Sequence, residues 1–413
     1  YNFDRLMSLA GEIRTTYNAV NDVAMTLNIH PPSGLVLQAQ TDAQGIFLFY
    51  NVPANPANYT LTPFKDNNHL DGVSTYDLVL ISKHILGLDY LDTPYKIIAA
   101  DANHSESVTT FDIVEIRKLI LGIYDEFPDN TSWRFVDKGF VFPNPANPFQ
   151  SVFPESITRS DVSGDQLTED FVGVKVGDVN FSVEGDSLFS ADDRAEGTLF
   201  FNLNDRTVQR DEEFTVQFSA AEKVLGYQFT LNVDGLEVVE VTPGKGMELA
   251  NFGVFLNAVT VADEHGAGAF AVTFRAVRPG QLSEMLRVSS HITRAEAYEV
   301  ASNNGDSGAI ALLDVALLFD NRLISKVGFE LYQNQPNPFT DNTLIGFHLP
   351  EDSNATLTVF DETGRILFTK SGSYPRGYNA VSLEKHLIGQ AGVLFYKLET
   401  ATDSAVRKMI LLK

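Results

Sequence analysis

Over residues 8–64 the chain alternates apolar and polar positions in short runs separated by turn residues. Gly11–Arg14, Val23–Leu27, Leu35–Ala39 and Ile46–Tyr50 carry β-formers, Asn58–Pro63 closes the series, and Asp42-Ala43-Gln44-Gly45 supplies a hairpin turn. A side-chain period of two places alternate residues on opposite faces of a strand, so this stretch predicts a small β-sandwich. The period then changes. Leu78, Ile81, Ile85 and Leu86, and again Ile113, Ile116, Ile120 and Leu121, recur at i, i+3, i+7 and i+8, which predicts two amphipathic helices. Gly87 and Gly122 stand where a left-handed cap would end each helix. Residues 126–182, with a strand-like Phe171–Asn180, read as an extension packed on the helical pair. From Thr198 to Phe319 period two returns in Leu199–Leu203, Phe214–Phe218, Tyr227–Val233, Leu236–Val241, Ala269–Phe274 and Ile310–Leu318, predicting a second sandwich. Residues 327–413 read as a third short-stranded unit. The expected fold class is therefore mainly β, with several small β-sandwich modules in tandem and one α-helical module. The expected domains are 1–64, 65–190, 195–322 and 327–413, with Glu184–Gly197, rich in Ser, Asp and Gly, as a linker.

Composition narrows the function classes. The 413 residues carry a formal charge of −24, which argues against nucleic acid and anionic membrane surfaces, since both need basic patches. With no cysteine there are no disulfides, thiolate metal sites or Cys nucleophiles. Thirty Phe against one Trp leave ample material for several cores. No apolar run reaches the ~18–20 residues of a membrane-spanning helix. Because the chain begins at Tyr1, without a start Met or signal peptide, it reads as a segment of a longer secreted precursor.

The chemistry concentrates in a loop–helix unit written twice, 35 residues apart. Asp66, Asn68, His69, Val73, Thr75, Asp77, Val79, Ile81, Lys83, Ile85, Leu86 and Gly87 all recur as the same residue type at that offset. Each copy brackets a loop with an Asp, an Asn two later and an Asp eleven later, just before a helix. Those are hard oxygen donors of the kind that Ca²⁺ takes six to eight at a time. A blander reading makes the same residues helix N-caps and turn formers, but a shared donor frame in two copies weighs against it. His69 and His104 read as solvated loop residues, because imidazole suits softer metals.

The doubled unit resembles dockerin, a module of two calcium loops that each precede a helix. That resemblance places loop positions 1, 3, 9 and 12 on Asp66, Asn68, Ser74 and Asp77, then on Asp101, Asn103, Thr109 and Asp112. It adds carbonyls near Leu70 and Gly72, and near Ser105 and Ser107, and makes Asp77 and Asp112 bidentate ligands. The chain departs from the family at positions 5 and 6, where Leu70-Asp71 and Ser105-Glu106 replace the usual Asp-Gly. Fewer carboxylates imply sites of ~10⁻⁴–10⁻³ M. Asp71, Asp178 and Asn180 are candidates to complete a shell. Tyr76 and Phe111 fall where dockerins often face a partner, and two readings stay open for them: exposed anchors, or rings packed beneath the loops.

Three further resemblances cover other segments. Residues 1–64 resemble a carboxypeptidase-regulatory-like β-sandwich through the turn at Asp42–Gly45 and the closing Val52-Pro53…Asn58–Pro63. Asp211–Val216, Leu225–Val233 and Leu236–Gly244 resemble cohesin, the dockerin-binding partner. Tyr332–Phe339, Thr343–Pro350, Leu357–Arg365, Gly377–Asn379, Gly392–Leu398 and Lys408–Lys413, in that order, resemble the type A sorting domain of the Bacteroidetes type IX secretion system. The last implies export across the outer membrane and a secreted or cell-surface location.

No His-Glu-x-x-His, Gly-x-Ser-x-Gly or phosphate-cradling Gly-rich loop is present, and the eight His are scattered. The chain is expected to be no enzyme, with Trp133 in a core. The expected function is structural or adhesive, with assembly through dockerin-like and cohesin-like modules, within one chain or between copies in a homo-oligomer. Partners would then be its own modules and the type IX machinery. Two alternatives stand beside it: the accessory tail of a secreted hydrolase, and a carbohydrate-binding surface protein.

Overall fold

The computed structural model describes residues 6–30, 34–54, 57–183, 197–220, 222–300, 310–320 and 322–412. The expected linker lies outside these, apart from Gly197. The chain divides into two compact units, Tyr1–Leu119 with Tyr124–Ser187, and Ile120–Ile123 with Leu188–Lys413.

The first unit is a β-sandwich with a helical insertion. Its elements are β1 (Leu6–Arg14), β2 (Ala24–Ile29), β3 (Val36–Gln40), β4 (Ile46–Pro53), β5 (Ala57–Phe64), α1 (Thr75–Ile85), α2 (Pro94–Ala100), α3 (Thr110–Ile120), β6 (Trp133–Asp137), β7 (Ile157–Val162) and β8 (Phe171–Lys175). One sheet runs β4-β1-β8-β6 and the other β3-β2-β5-β7. The alternation of β1 buries Met7, Leu9 and Ile13 against Met25, Leu27, Phe47, Tyr59 and Leu61. Trp133, Phe135, Ile157 and Phe171 belong to the same core. The expected boundary at residue 64 is therefore not a boundary. β1 pairs in parallel with β8 (Ile13 beside Phe171) and β5 pairs antiparallel with β7 (Leu61 beside Ile157). Residues 126–182 thus supply three of the sandwich's eight strands instead of an extension to the helices. Gly11 shows how close the contact is, because a Cβ there would sit 2.2 Å from the Glu169 carbonyl oxygen. Glu169 is itself buried, accepting from Tyr59 Oη at 2.9 Å and pairing with Arg159 at 2.8 Å.

Helices α1 and α3 fall where the 3.6-residue period puts them, and Gly87 and Gly122 adopt φ of +68° and +70° after them. α2 was not expected. It starts on Thr93, whose Oγ1 accepts from Lys96 N at 3.2 Å, with Pro94 at the first helical position.

From Thr198 onward the described residues of the second unit form strands apart from two single-turn α-helices and one 3₁₀ turn at Leu249–Asn251. An eleven-stranded array, from Leu236–Thr242 at one edge to Phe252–Phe255 at the other, wraps an aromatic core containing Phe201, Phe218, Tyr227, Phe229 and Phe270. The rings of Phe218 and Phe270 stack with centroids 4.7 Å apart. Ile310–Phe319 joins its halves, running parallel to Thr198–Leu203 and antiparallel to Glu296–Val300. Residues 330–411 then form a sandwich of a three-stranded and a four-stranded sheet around Phe347, Leu357, Tyr396, Met409 and Leu411. The two ends of that sandwich are tied together: Ile410 N donates to Asn337 Oδ1 at 2.8 Å, and Leu412 N to the Phe339 carbonyl at 2.8 Å. Mainly β is the observed class.

Candidate cation-binding loops

The second loop is continuous from Asp101 to Asp112. Asp101 and Asp112 are both fully buried. Asp101 Oδ1 accepts from Ser105 N at 2.8 Å and its Oδ2 from Glu106 N at 3.0 Å. Asn103 Oδ1 also accepts from Ser105 N, at 3.1 Å. This folding back turns the side chains inward, and His104 and Glu106 adopt φ of +56° and +60° to allow it. Asp112 arrives from the first turn of α3. Its Oδ2 accepts from Thr109 N at 2.8 Å and its Oδ1 from Asn103 N at 3.2 Å. Burial raises the proton affinity of both carboxyls, and the Asp101 charge raises that of Asp112 further. The site thus concentrates negative charge in a poorly solvated place, which favours a cation.

The spacing of the loop's oxygens can be set beside that of a Ca²⁺ shell. Oxygens about 2.4 Å from one ion and adjacent in its shell lie roughly 2.8–3.4 Å apart. Ser105 Oγ lies 3.4 Å from Asp101 Oδ1, 3.3 Å from the Ser107 carbonyl and 3.1 Å from Ser107 Oγ. Among the described residues there is no group of three or more His, Cys, Asp or Glu suited to a metal. The loop offers two carboxylates, with amide, hydroxyl and carbonyl oxygens for the rest.

The first loop differs. Asp66 Oδ1 accepts from Ser132 N at 2.8 Å and lies 3.0 Å from His69 Nε2. His69 is buried, contrary to expectation. Its Nδ1 accepts from Phe127 N at 3.2 Å, its carbonyl accepts from Lys175 Nζ at 2.7 Å, and burial holds its pKa down at about 4. Asn68 takes φ of +51° in a turn in which its carbonyl accepts from Asp71 N, and the Leu70 carbonyl accepts from Val73 N. The start of this loop is thus built into the junction with β6 and β8. Its end leads into α1. Asp77 is fully buried, with Oδ2 accepting from Ser74 N at 2.9 Å and from Ser74 Oγ at 3.0 Å. Its Oδ1 accepts from Val179 N at 2.9 Å and Asn180 N at 3.2 Å, and the Gly72 carbonyl accepts from Ser182 Oγ at 2.8 Å. Burial, and after it the charge of Asp178, pushes the Asp77 carboxyl well above its usual range.

The two aromatic candidates separate. Phe111 is 72% exposed, whereas Tyr76 is half-buried, which raises its phenol pKa. Trp133 lies in the core. No helix among the described residues is long and apolar enough to cross a membrane.

No protein-family model and no curated protein matches the chain. Among solved structures it is similar to the Bacillus anthracis TIE protein, at 8% identity over 99% of this chain and 49% of that one, with a TM-score of 0.20. It is also similar to the Bacillus cereus major pilin subunit BcpA, at 9% identity over 98% and 93% with a TM-score of 0.19. A tetra-tandem repeat from the extending region of a large adhesion protein matches at 10% identity over 97% and 73%, with a TM-score of 0.15. The chain spans about half the length of the first of these. At such scores the likeness extends to β-rich content and carries no argument about function.

Proposed function

We propose that this chain is a non-catalytic, extracellular structural or adhesive protein that assembles through a calcium-stabilised dockerin-like pair and a cohesin-like sandwich, and is exported by a type IX secretion system. The observation that carries the reading is the Asp101–Asp112 loop, in which Ser105 Oγ lies 3.4 Å from Asp101 Oδ1 and 3.3 Å from the Ser107 carbonyl, directly before a helix that presents Phe111 to solvent. An exposed aromatic beside an ion-ordered loop is the type of anchor that dominates interfaces, worth ~2 kcal/mol or more when buried. Export draws its support from the ordered series of sorting-domain segments between Tyr332 and Lys413.

Native mass spectrometry of the full chain, with and without calcium, tests the reading. Expected are oligomers in millimolar calcium that dissociate on chelation, and at least tenfold weaker association for Phe111→Ala. A species distribution indifferent to both calcium and Phe111 would overturn assembly between copies.

A further inference from the structure

We infer that the first calcium site is split: Asp178, Asn180 and Ser182 supply its opening ligands in place of Asp66, Asn68 and Leu70, and Gly72, Ser74 and Asp77 complete it. This rests on the calcium reading above and assigns that site to a different part of the chain.

The two sites share most of their hydrogen bonds, although Val179 N donates to Asp77 Oδ1 where Ala102 N donates to the Ala100 carbonyl. Asp178-Val179-Asn180-Phe181-Ser182 repeats the Asp-x-Asn-x-Ser order of Asp101–Ser105. Ser182 N donates to Asp178 Oδ1 and to Asn180 Oδ1, both at 3.0 Å, as Ser105 N does to Asp101 and Asn103. Val183 N reaches Asp178 Oδ2 at 2.7 Å, as Glu106 N reaches Asp101 Oδ2. Phe181 takes φ of +59° where His104 takes +56°. The closing Asp behaves alike too, since Asp77 Oδ1 accepts from Asn180 N at 3.2 Å and Asp112 Oδ1 from Asn103 N at 3.2 Å.

Two further observations point to an ion. The first is the spacing of the oxygens. Ser182 Oγ lies 3.4 Å from Asp178 Oδ1 and 2.8 Å from the Gly72 carbonyl, which are again edges of a calcium shell although the residues come from segments about a hundred positions apart. The second is Gly72, where a Cβ would stand 2.7 Å from Asp178 Oδ2 and 2.9 Å from Val183 N. Only a glycine lets the two segments close this far. Asp77 and Asp178 are both fully buried, and the backbone links them, since Val179 N and Asn180 N donate to Asp77 Oδ1 at 2.9 and 3.2 Å. Calcium then fastens the segment after β8 to the start of α1.

Titration calorimetry of the calcium-stripped full chain with CaCl₂ tests the assignment. Expected are two equivalents for the wild type, two for Asp66→Asn and one for Asp178→Asn. Asn180→Asp adds a carboxylate at a half-buried position and is expected to tighten one site about tenfold while leaving the other unchanged, a gain that damage to the fold would not produce. Loss of one equivalent in Asp66→Asn with two retained in Asp178→Asn would overturn the split site. So would a single wild-type equivalent removed by Asp112→Asn, with the calcium reading left standing. No uptake at several millimolar would remove the calcium reading itself. Near-ultraviolet circular dichroism of each stripped variant identifies any that has lost its tertiary structure, and the Asn180→Asp result then decides.

Discussion

Residues 1–64 expressed alone are predicted not to fold, although they contain five of the eight strands of the first sandwich. Truncation at residue 64 removes β8 from beside β1 and β7 from beside β5, leaving two long backbone edges unpaired. It also removes Trp133, Phe135, Ile157, Val162 and Phe171 from the shared core. At about 1.5–3 kcal/mol for each buried side chain, their loss comes to roughly 10 kcal/mol. That is an upper figure, because an unfolded chain already buries some apolar surface. It is nevertheless as large as the ~5–15 kcal/mol by which whole domains are stable. Far-ultraviolet circular dichroism and thermal melting of residues 1–64 and 1–183 form the assay. The longer piece is expected to melt cooperatively and the shorter to show no transition. In the longer piece Phe171→Ala is expected to cost about 3–5 kcal/mol. A cooperative melt for residues 1–64, or an unchanged midpoint for Phe171→Ala, would refute the shared core.

Other predictions follow from single sites. Gly72→Ala is expected to lower the urea midpoint of the first unit even without calcium: a left-handed φ of +74° costs an alanine about 1–2 kcal/mol, and the Cβ displaces Asp178 and Val183. Burial holds the His348 ring neutral, with its pKa lowered to about 4 against ~6.5 in the unfolded chain. The folded state then binds fewer protons, so stability present above about pH 6.5 is lost as pH falls towards 4, by up to ~3 kcal/mol; denaturant midpoints across that window are expected to flatten in His348→Gln. Deletion of Lys408–Lys413 removes Met409 and Leu411 from the last core. It is expected to abolish cooperative melting of that sandwich, so an export defect in the deletion would not by itself show that the end is read as a signal.

What the sequence disclosed follows from how local each signal is. α1 and α3 were legible with their glycine caps, because a 3.6-residue period and a cap lie within a dozen residues. α2 carried a signal as well, Thr93-Pro94 at its start, but only seven residues of pattern behind it. Phe171–Lys175 could be read as a strand, whereas its partner could not: nothing in its alternation specifies a parallel pairing with Ile13, more than 150 residues earlier. His69 looked like a solvated loop residue because its burial depends on Phe127 and Lys175, both distant in sequence. The Asp178–Ser182 run carries the donor pattern of Asp101–Ser105. It escaped a full assignment because no helix with an acid follows it, and the segment hydrogen-bonded to it, Gly72–Asp77, lies about a hundred residues earlier.

The central claim is that calcium stabilises this protein through its paired loops, and differential scanning calorimetry of the full chain tests it most directly. With free calcium 100-fold above both dissociation constants, each site contributes ~2.7 kcal/mol. For a unit of this size two sites correspond to an upward shift of roughly 10–20 °C in the transition of the first unit, relative to the same protein in chelator. A transition at one temperature with and without calcium would contradict the account.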